Sequence, residues 1–384
     1  MKQSTPARSG RGWGNAIMPR FARSRWCGML IMLGRHGTGG IFMMVGSVVA
    51  GLNAENTAAA QAPTAVAHNV AGAATAWLDS LDSPQRSLAS KPFDDAKRTD
   101  WHFVPKPTRK GLQLRDMTEP QQAAALAVLQ SVLSQLGYDK SVAIMELDEM
   151  LRILEGSRAK NIRDPKRYFF TIFGTPSDDS PWAISFEGHH LSLNFTVRDG
   201  RIVDSTPQFM GANPAVVKKP LPNLPAVGRR VLEAEESVAF ELVRSLDEGQ
   251  RAKAVISPEP PKEIRGAGEP QPSGEPAAGI TWGDLSTSQQ AVLKRLVDVY
   301  CAVMLEEVVA ERQKLIEAAE GGWAAVKFSW AGSLKPGVGH YYRVEGPTFV
   351  VEFCNVQPDA EGNPANHIHC MWRDRTGDFD LPVK

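Results

Sequence analysis

Four of the eight histidines stand in two short clusters, Gly188-His189-His190-Leu191-Ser192-Leu193-Asn194 and Asn366-His367-Ile368-His369-Cys370. Imidazole takes first-row transition metals at neutral pH, so paired histidines point first to an ion, zinc ahead of copper or iron. In an extended chain alternate side chains share a face, which brings His367 and His369 together about 6.6 to 6.8 Å apart, as two ligands of one ion. The same alternation puts His190 with Ser192 and Asn194, and His189 with Leu191, Leu193 and Phe195. All four are candidate metal ligands. His190 is the better placed of the first pair, and His189 is either a hydrogen-bonded core residue or a support for the ligands. The competing reading is a buried polar network of structural histidines that positions two halves of the protein.

Two carboxylates accompany the clusters: Glu187, next to the first, and Glu352, inside the apolar run Phe349 to Phe353. Either could act as metal ligand or general base in metal-assisted hydrolysis. Arg373, in Trp372-Arg373-Asp374, reads as a strand-end ion pair or as a guanidinium fork for an anionic substrate group. The chain has no Gly-x-Ser-x-Gly elbow, no phosphate-binding Walker loop, no His-Glu-x-x-His helix and no Gly-x-Gly-x-x-Gly after a strand. Nucleotide and nicotinamide chemistry are therefore not expected.

The elements that must position these residues occur twice. Ser80-Leu81-Asp82-x-x-Gln85-Arg86 returns as Ser245-Leu246-Asp247-x-x-Gln250-Arg251, and Gly111 to Gln122 matches Gly279 to Gln290 with identical internal spacing, at offsets of 165 and 168. Thr118-x-x-Gln121 and Ser286-x-x-Gln289 are capping boxes, so each opens a helix. Apolar spacing predicts helices over 70–80, 119–136, 141–155, 231–245 and 287–319. Runs rich in aromatic and β-branched residues, 168–173, 326–330, 341–344 and 349–353, predict strands that follow one another directly. The expectation is an α+β fold with antiparallel strands: an internally duplicated helix-helix-strands unit in two pseudo-symmetric halves, 63–213 and 229–384. Residues 214–228 read as a Pro-rich connector and 258–276 as a Pro-rich surface loop.

At Phe186-Glu-Gly-His-His-Leu-Ser-Leu-Asn194, Tyr341-Tyr-Arg-Val-Glu-Gly-Pro347 and Asn366-His-Ile-His369 with Trp372-Arg373-Asp374, the sequence resembles the domain-of-unknown-function family numbered 3500, over roughly residues 68 to 380. The resemblance implies a fold unit and a motif set without a reaction. Members continue past Asp-Phe-Gly into a short leucine-containing tail with a histidine, whereas here Asp378-Phe379-Asp380 runs on to Lys384.

Lysine plus arginine and aspartate plus glutamate number 43 each, but the first 62 residues hold seven of the bases and one acid. The rest carries 36 bases against 42 acids, a poor surface for nucleic acid. Within that leader the 13-residue apolar stretch Gly40 to Leu52 follows arginines and precedes Ala58-Ala59-Ala60-Gln61-Ala62, the order of a secretory signal. It is too short to span a bilayer as a helix, so no stable membrane span is expected once it is removed. Of the three cysteines beyond it, Cys354 and Cys370 could bridge in an oxidising compartment. The sequence thus predicts an exported protein, periplasmic or extracellular. Its expected activity is that of a metal-dependent hydrolase with a His-rich site between the halves, acting on a small-molecule substrate. The alternatives are a non-catalytic small-ligand-binding protein and a copper or iron oxidoreductase.

Overall fold

The recurring glutamines fix the first elements. In the computed structural model, which describes residues 69–383, Asp82 and Gln85 form a capping box. Gln85 Nε2 donates to Gln121 Oε1 at 3.1 Å, and Gln121 Nε2 donates to the Ser80 carbonyl at 2.8 Å. Gln250, Gln289 and Ser245 repeat the arrangement at 2.8 and 2.9 Å. The two repeated motifs therefore bond each other, and such a pair is satisfied only if both keep their spacing.

The first run of elements is α1 (Val70–Asp79), α2 (Ser83–Ala89), β1 (Ser90–Lys91), β2 (Leu112–Gln113), α3 (Glu119–Val132), α4 (Gln135–Glu155), β3 (Phe169–Phe173), β4 (Trp182–Gly188), β5 (Leu191–Arg198), β6 (Arg201–Asp204) and β7 (Gln208–Ala212). The second is α5 (Glu233–Ser245), α6 (Glu248–Ala254), β8 (Val255–Ser257), β9 (Ile280–Thr281), α7 (Thr287–Cys301), α8 (Glu306–Ala318), β10 (Lys327–Gly332), β11 (His340–Glu345), β12 (Phe349–Asn355) and β13 (Ile368–Asp374). The helix expected over 287–319 is two, α7 and α8. Their junction docks on the one between α3 and α4: the Ser134 amide donates to the Val303 carbonyl at 3.1 Å and its hydroxyl to the Ala302 carbonyl at 2.6 Å. No Gly or Pro marks residues 302–305, so the break follows from a contact distant in sequence.

One mixed sheet runs β1-β3-β4-β5-β7-β13-β12-β11-β10-β8, with β2, β6 and β9 paired at its sides. It is antiparallel as expected, except that β1 with β3 and β8 with β10 are parallel. Alternation sorts the side chains. Trp182, Ile184, Phe186, Leu193, Val351, Phe353, Cys370 and Trp372 join the core shared with the helices. Trp101, Phe103, Phe209, Ile264, Cys354 and Met371 form a second cluster, on the other side of the sheet. That side also carries Ser192, Glu187, Glu352, His369 and Arg373, all buried. Cys354 and Cys370 lie on opposite sides and are free and buried, so they do not bridge. Residues 1–62, the expected leader, lie outside the described residues. No helix among the described residues is long and apolar enough to cross a membrane.

Candidate metal centre

His189 and His190 are not in a strand. Gly188 pairs with Leu191, so the two histidines form a tight turn between β4 and β5, and His190 has φ +66°. The alternation used to place them ends at Gly188. A non-glycine residue in the left-handed region costs roughly 1–2 kcal/mol, and here hydrogen bonds hold it there. The His190 amide donates to the Phe103 carbonyl at 2.9 Å, and its carbonyl accepts from the Gly211 amide at 2.8 Å. Two glycines make room. A Cβ on Gly188 would lie 2.1 Å from the Tyr168 ring, and one on Gly211 would lie 3.0 Å from His190 Cγ and Cδ2. Gly211 faces His369 across the β7–β13 pair, so the missing side chain leaves the space that the His190 ring fills.

His367 immediately precedes β13 and His369 is its second residue. The three Nε2 atoms of His190, His367 and His369 converge, 2.7 Å between the first two, 3.1 Å between the last two and 3.3 Å between His190 and His369. Their ligand atoms lie within 4.8 Å of one another, so this group could hold a metal ion. Three donors about 2.1 Å from a tetrahedral zinc stand roughly 3.4 Å apart, so ring shifts of a few tenths of an ångström suffice. His369 Nδ1 lies 2.7 and 2.8 Å from the two Glu263 carboxylate oxygens. Donation from Nδ1 leaves Nε2 with a bare lone pair facing the other rings, the tautomer a metal ligand needs. Asn213 Nδ2 lies 3.2 Å from His367 Nδ1 while its buried Oδ1 has no partner. Exchanging the amide atoms lets the oxygen accept from Nδ1–H and frees His367 Nε2 in the same way.

Burial, then the charges of the neighbouring histidines, holds His190 and His367 well below the usual imidazole range. Both are therefore neutral at neutral pH, the state in which imidazole binds metal. His189 is not part of the triad. Its Nδ1 meets Asp148 Oδ1 at 2.7 Å and its ring stacks on His190 at 3.8 Å. Burial lowers its pKa against the pull of Asp148. The Tyr168 hydroxyl donates to the His189 carbonyl at 2.8 Å and lies 3.0 Å from Asp148 Oδ2. Phe103, stacked on Phe209 at 3.7 Å, covers His369 edge-on at 4.8 Å.

The other expected site residues are held elsewhere. Glu187 pairs with Lys110, with Arg109 at 3.5 Å. Glu352 takes Arg265 Nε at 2.6 Å and the Arg265 amide at 2.9 Å. Arg373 binds Asp378 at 2.5 Å and the Gly266 and Glu269 carbonyls at 3.1 and 2.8 Å, beneath Trp101. The carboxylate that reaches the triad is Glu263, in the stretch expected to be a surface loop, where no periodicity singles it out. The β4–β5 turn, in Glu187-Gly188-His189-His190-Leu191, and the β11–β12 turn, in Glu345-Gly346-Pro347-Thr348-Phe349, both open on Glu-Gly, and of the two the first carries the histidines. Asp380, which departs from the Asp-Phe-Gly pattern, has φ +55°, where glycine is at ease.

No curated protein and no solved structure matches this chain. A family model does, over residues 63–381, and the chain belongs to that family, described as protein of unknown function (DUF3500).

Proposed function

We propose that this protein is an exported metalloprotein in which His190, His367 and His369 hold one divalent transition metal, zinc first, for hydrolysis of a small molecule. The observation that carries the reading is the meeting of three Nε2 atoms within 3.3 Å of one another, one of them backed by a carboxylate on Nδ1. With His367 and His369 donating from Nδ1, their Nε2 lone pairs face each other at 3.1 Å, and a cation among the rings relieves the repulsion. No fourth side chain joins the group among the described residues, which suits a catalytic site with an open position better than a closed structural one. Zinc held there supplies a Lewis acid and lowers the pKa of a bound water towards 7. The chain's own part is to keep the rings neutral and oriented and, through Phe103 and Phe209, to keep bulk water away on one side. In this reading Glu187, Glu352 and Arg373 are scaffold, each engaged in ion pairs of its own.

The two runs of elements are, on the same proposal, copies of one duplicated unit, supported by their common order and the matching glutamine pairs. Export rests on the basic, apolar, small-residue order of residues 1–62. Protein purified without an affinity tag tests the metal: about one equivalent of zinc per chain is expected, and no metal retained or taken up on addition removes the reading. Hydrolysis is tested on ester, amide and phosphoester panels; activity lost to a chelator and restored by zinc is expected, and a coloured or spin-active copper or iron centre would replace hydrolysis with redox chemistry. Expression in a bacterium should yield a shortened chain outside the cytoplasm, and a full-length cytoplasmic product would contradict export.

A further inference from the structure

Beside the β4–β5 turn lies a cleft of about 1150 Å³, open mouth included, lined by Thr108, Arg109, Arg115, Arg163 and Arg167. It shares Arg109, Ile162, Arg167 and Phe169 with a recess of about 260 Å³ that adds Lys106 and ends on Asp148 and His189. The His189 ring stacks on His190 at 3.8 Å, so the cleft runs up to the back of a triad histidine.

The acids lining the cleft and recess are already used. Asp164 is bound by Arg115 and by the Lys166 amide at 2.9 Å, Asp116 by Gln113 at 2.6 Å, and Asp148 by Tyr168 at 3.0 Å and His189 at 2.7 Å. Arg163 is taken by Glu155 at 2.8 Å and lies 3.2 Å from both ring nitrogens of His189. Arg167 makes no ion pair among the described residues and gives one hydrogen bond, to the Pro107 carbonyl. Most of its five donors are free to face the cleft.

The second run shows that the fold does not require the Arg167 charge. Leu112 and Gln113 pair with Phe170 and Phe169 as Ile280 and Thr281 pair with Phe328 and Lys327. On that register Arg109 and Lys110, which pair with the buried Glu187, stand where Ala277 and Ala278 do, and Arg167 stands where Ala325 does. At that last position the corner is built once with arginine and once with alanine, so the Arg167 charge serves something other than packing. The cations lining the cleft also stand against an excess of acid beyond the leader, 36 bases to 42 acids. A local positive cleft on such a protein draws anions to one place.

We propose that this cleft binds a small molecule through an oxyanion group, carboxylate or phosphate, with Arg167 as the principal fork. As the substrate class of the site it rests on the metallohydrolase reading; the binding itself needs no metal. A guanidinium recognises either oxyanion through two parallel N–H donors. The test is calorimetric titration of the chelator-stripped full chain, at low ionic strength, with inorganic phosphate, phenyl phosphate and succinate. One site per chain is expected for at least one probe, and which probes bind separates phosphate from carboxylate recognition. Arg167→Gln is expected to weaken binding at least tenfold at unchanged melting temperature, with partial recovery in Arg167→Lys. Thr108→Glu, an exposed position on the cleft wall, should also weaken it and stands in if the arginine variant does not fold. No binding of any probe, or equal affinity in the folded variants, overturns the proposal. Oxyanion binding in a protein that takes up no metal leaves this proposal standing and removes the metal reading; metal uptake without oxyanion binding does the reverse.

Discussion

Glu263→Gln separates a metal centre from a structural histidine cluster. The carboxylate lies 2.7 Å from His369 Nδ1. Adding roughly 2.2 Å across the ring and about 2.1 Å for a Zn–N bond puts the ion about 7 Å from the carboxylate oxygen. A unit charge at that distance from a divalent cation is worth about 5 kcal/mol at an effective dielectric of about 20. The Glu263 side chain is 32% exposed. Water around it cuts the figure to about 2 kcal/mol, or roughly 30-fold in affinity, inside the 10- to 100-fold range for such outer partners. Glutamine keeps an acceptor for Nδ1–H, so the metal-free fold should lose at most about 1 kcal/mol. Competition against a chromophoric zinc chelator at pH 7.5, with melts of the stripped protein, measures both. Unchanged zinc affinity, or a loss of metal-free stability as large as the loss of affinity, would refute the argument, because the glutamate would then be a strut and not a partner of the ion.

Three further outcomes follow from the same geometry. His190→Ala, His367→Ala and His369→Ala should each abolish zinc uptake in a folded protein, whereas His189→Ala should cost about 1–3 kcal/mol of stability by stranding Asp148, with zinc affinity altered only secondarily; paired melts and metal titrations read both. Gly211→Ala places a methyl 3.0 Å from His190 Cγ and 2.9 Å from the Ile368 carbonyl, so zinc affinity should fall while stability drops by about 1–3 kcal/mol; equal zinc affinity in the variant would contradict the packing. Asp204 is pushed up to about 7, by burial first and then by Asp378. Its folded value lies above the unfolded one, so stability is greatest in acid and falls as pH rises from about 4 through 7, by up to roughly 4 kcal/mol. Asp204→Asn should remove that decline between pH 5 and 8, and parallel wild-type and variant melting curves would contradict it.

What was legible in the sequence was local. A capping box needs four residues, so Thr118 with Gln121 and Ser286 with Gln289 mark helix starts correctly. A strand needs alternation, so His367 and His369 share a side as expected. The turn at His189 and His190 hid because apolar alternation resumes on both sides of it, in Ile184 and Phe186 and again in Leu191 and Leu193. A signal stands in the similar segment Glu345-Gly346-Pro347-Thr348, which opens on the same Glu-Gly and whose proline marks a turn. Glu263 had no local signal. A loop residue that crosses 106 positions to meet His369 is placed by packing of the loop on the sheet, which no window of sequence contains.

On the proposed duplication, the centre of the sheet bears on why the candidate metal corner occurs once among the described residues. β7 and β13 pair about Met210 and Cys370, with Gln208 opposite Trp372 and Ala212 opposite Ile368. On that proposal, rotating the site about this point sends His369 to Phe209, His367 to Pro207 and Gly211 to Met371, and the matching turn sends His190 to Thr348. Every candidate ligand becomes a group ill suited to a transition metal, and the gap over Gly211 is filled by a methionine. The mate corner instead packs Arg312 over Trp372, 4.5 Å from the ring, and bonds it to Ser205 Oγ at 2.8 Å. A polar cluster needed only to brace the two runs could sit equally well at both corners. The histidines, the space for His190 and the neighbouring arginines all fall on one, and that concentration is what a binding site requires and a brace does not.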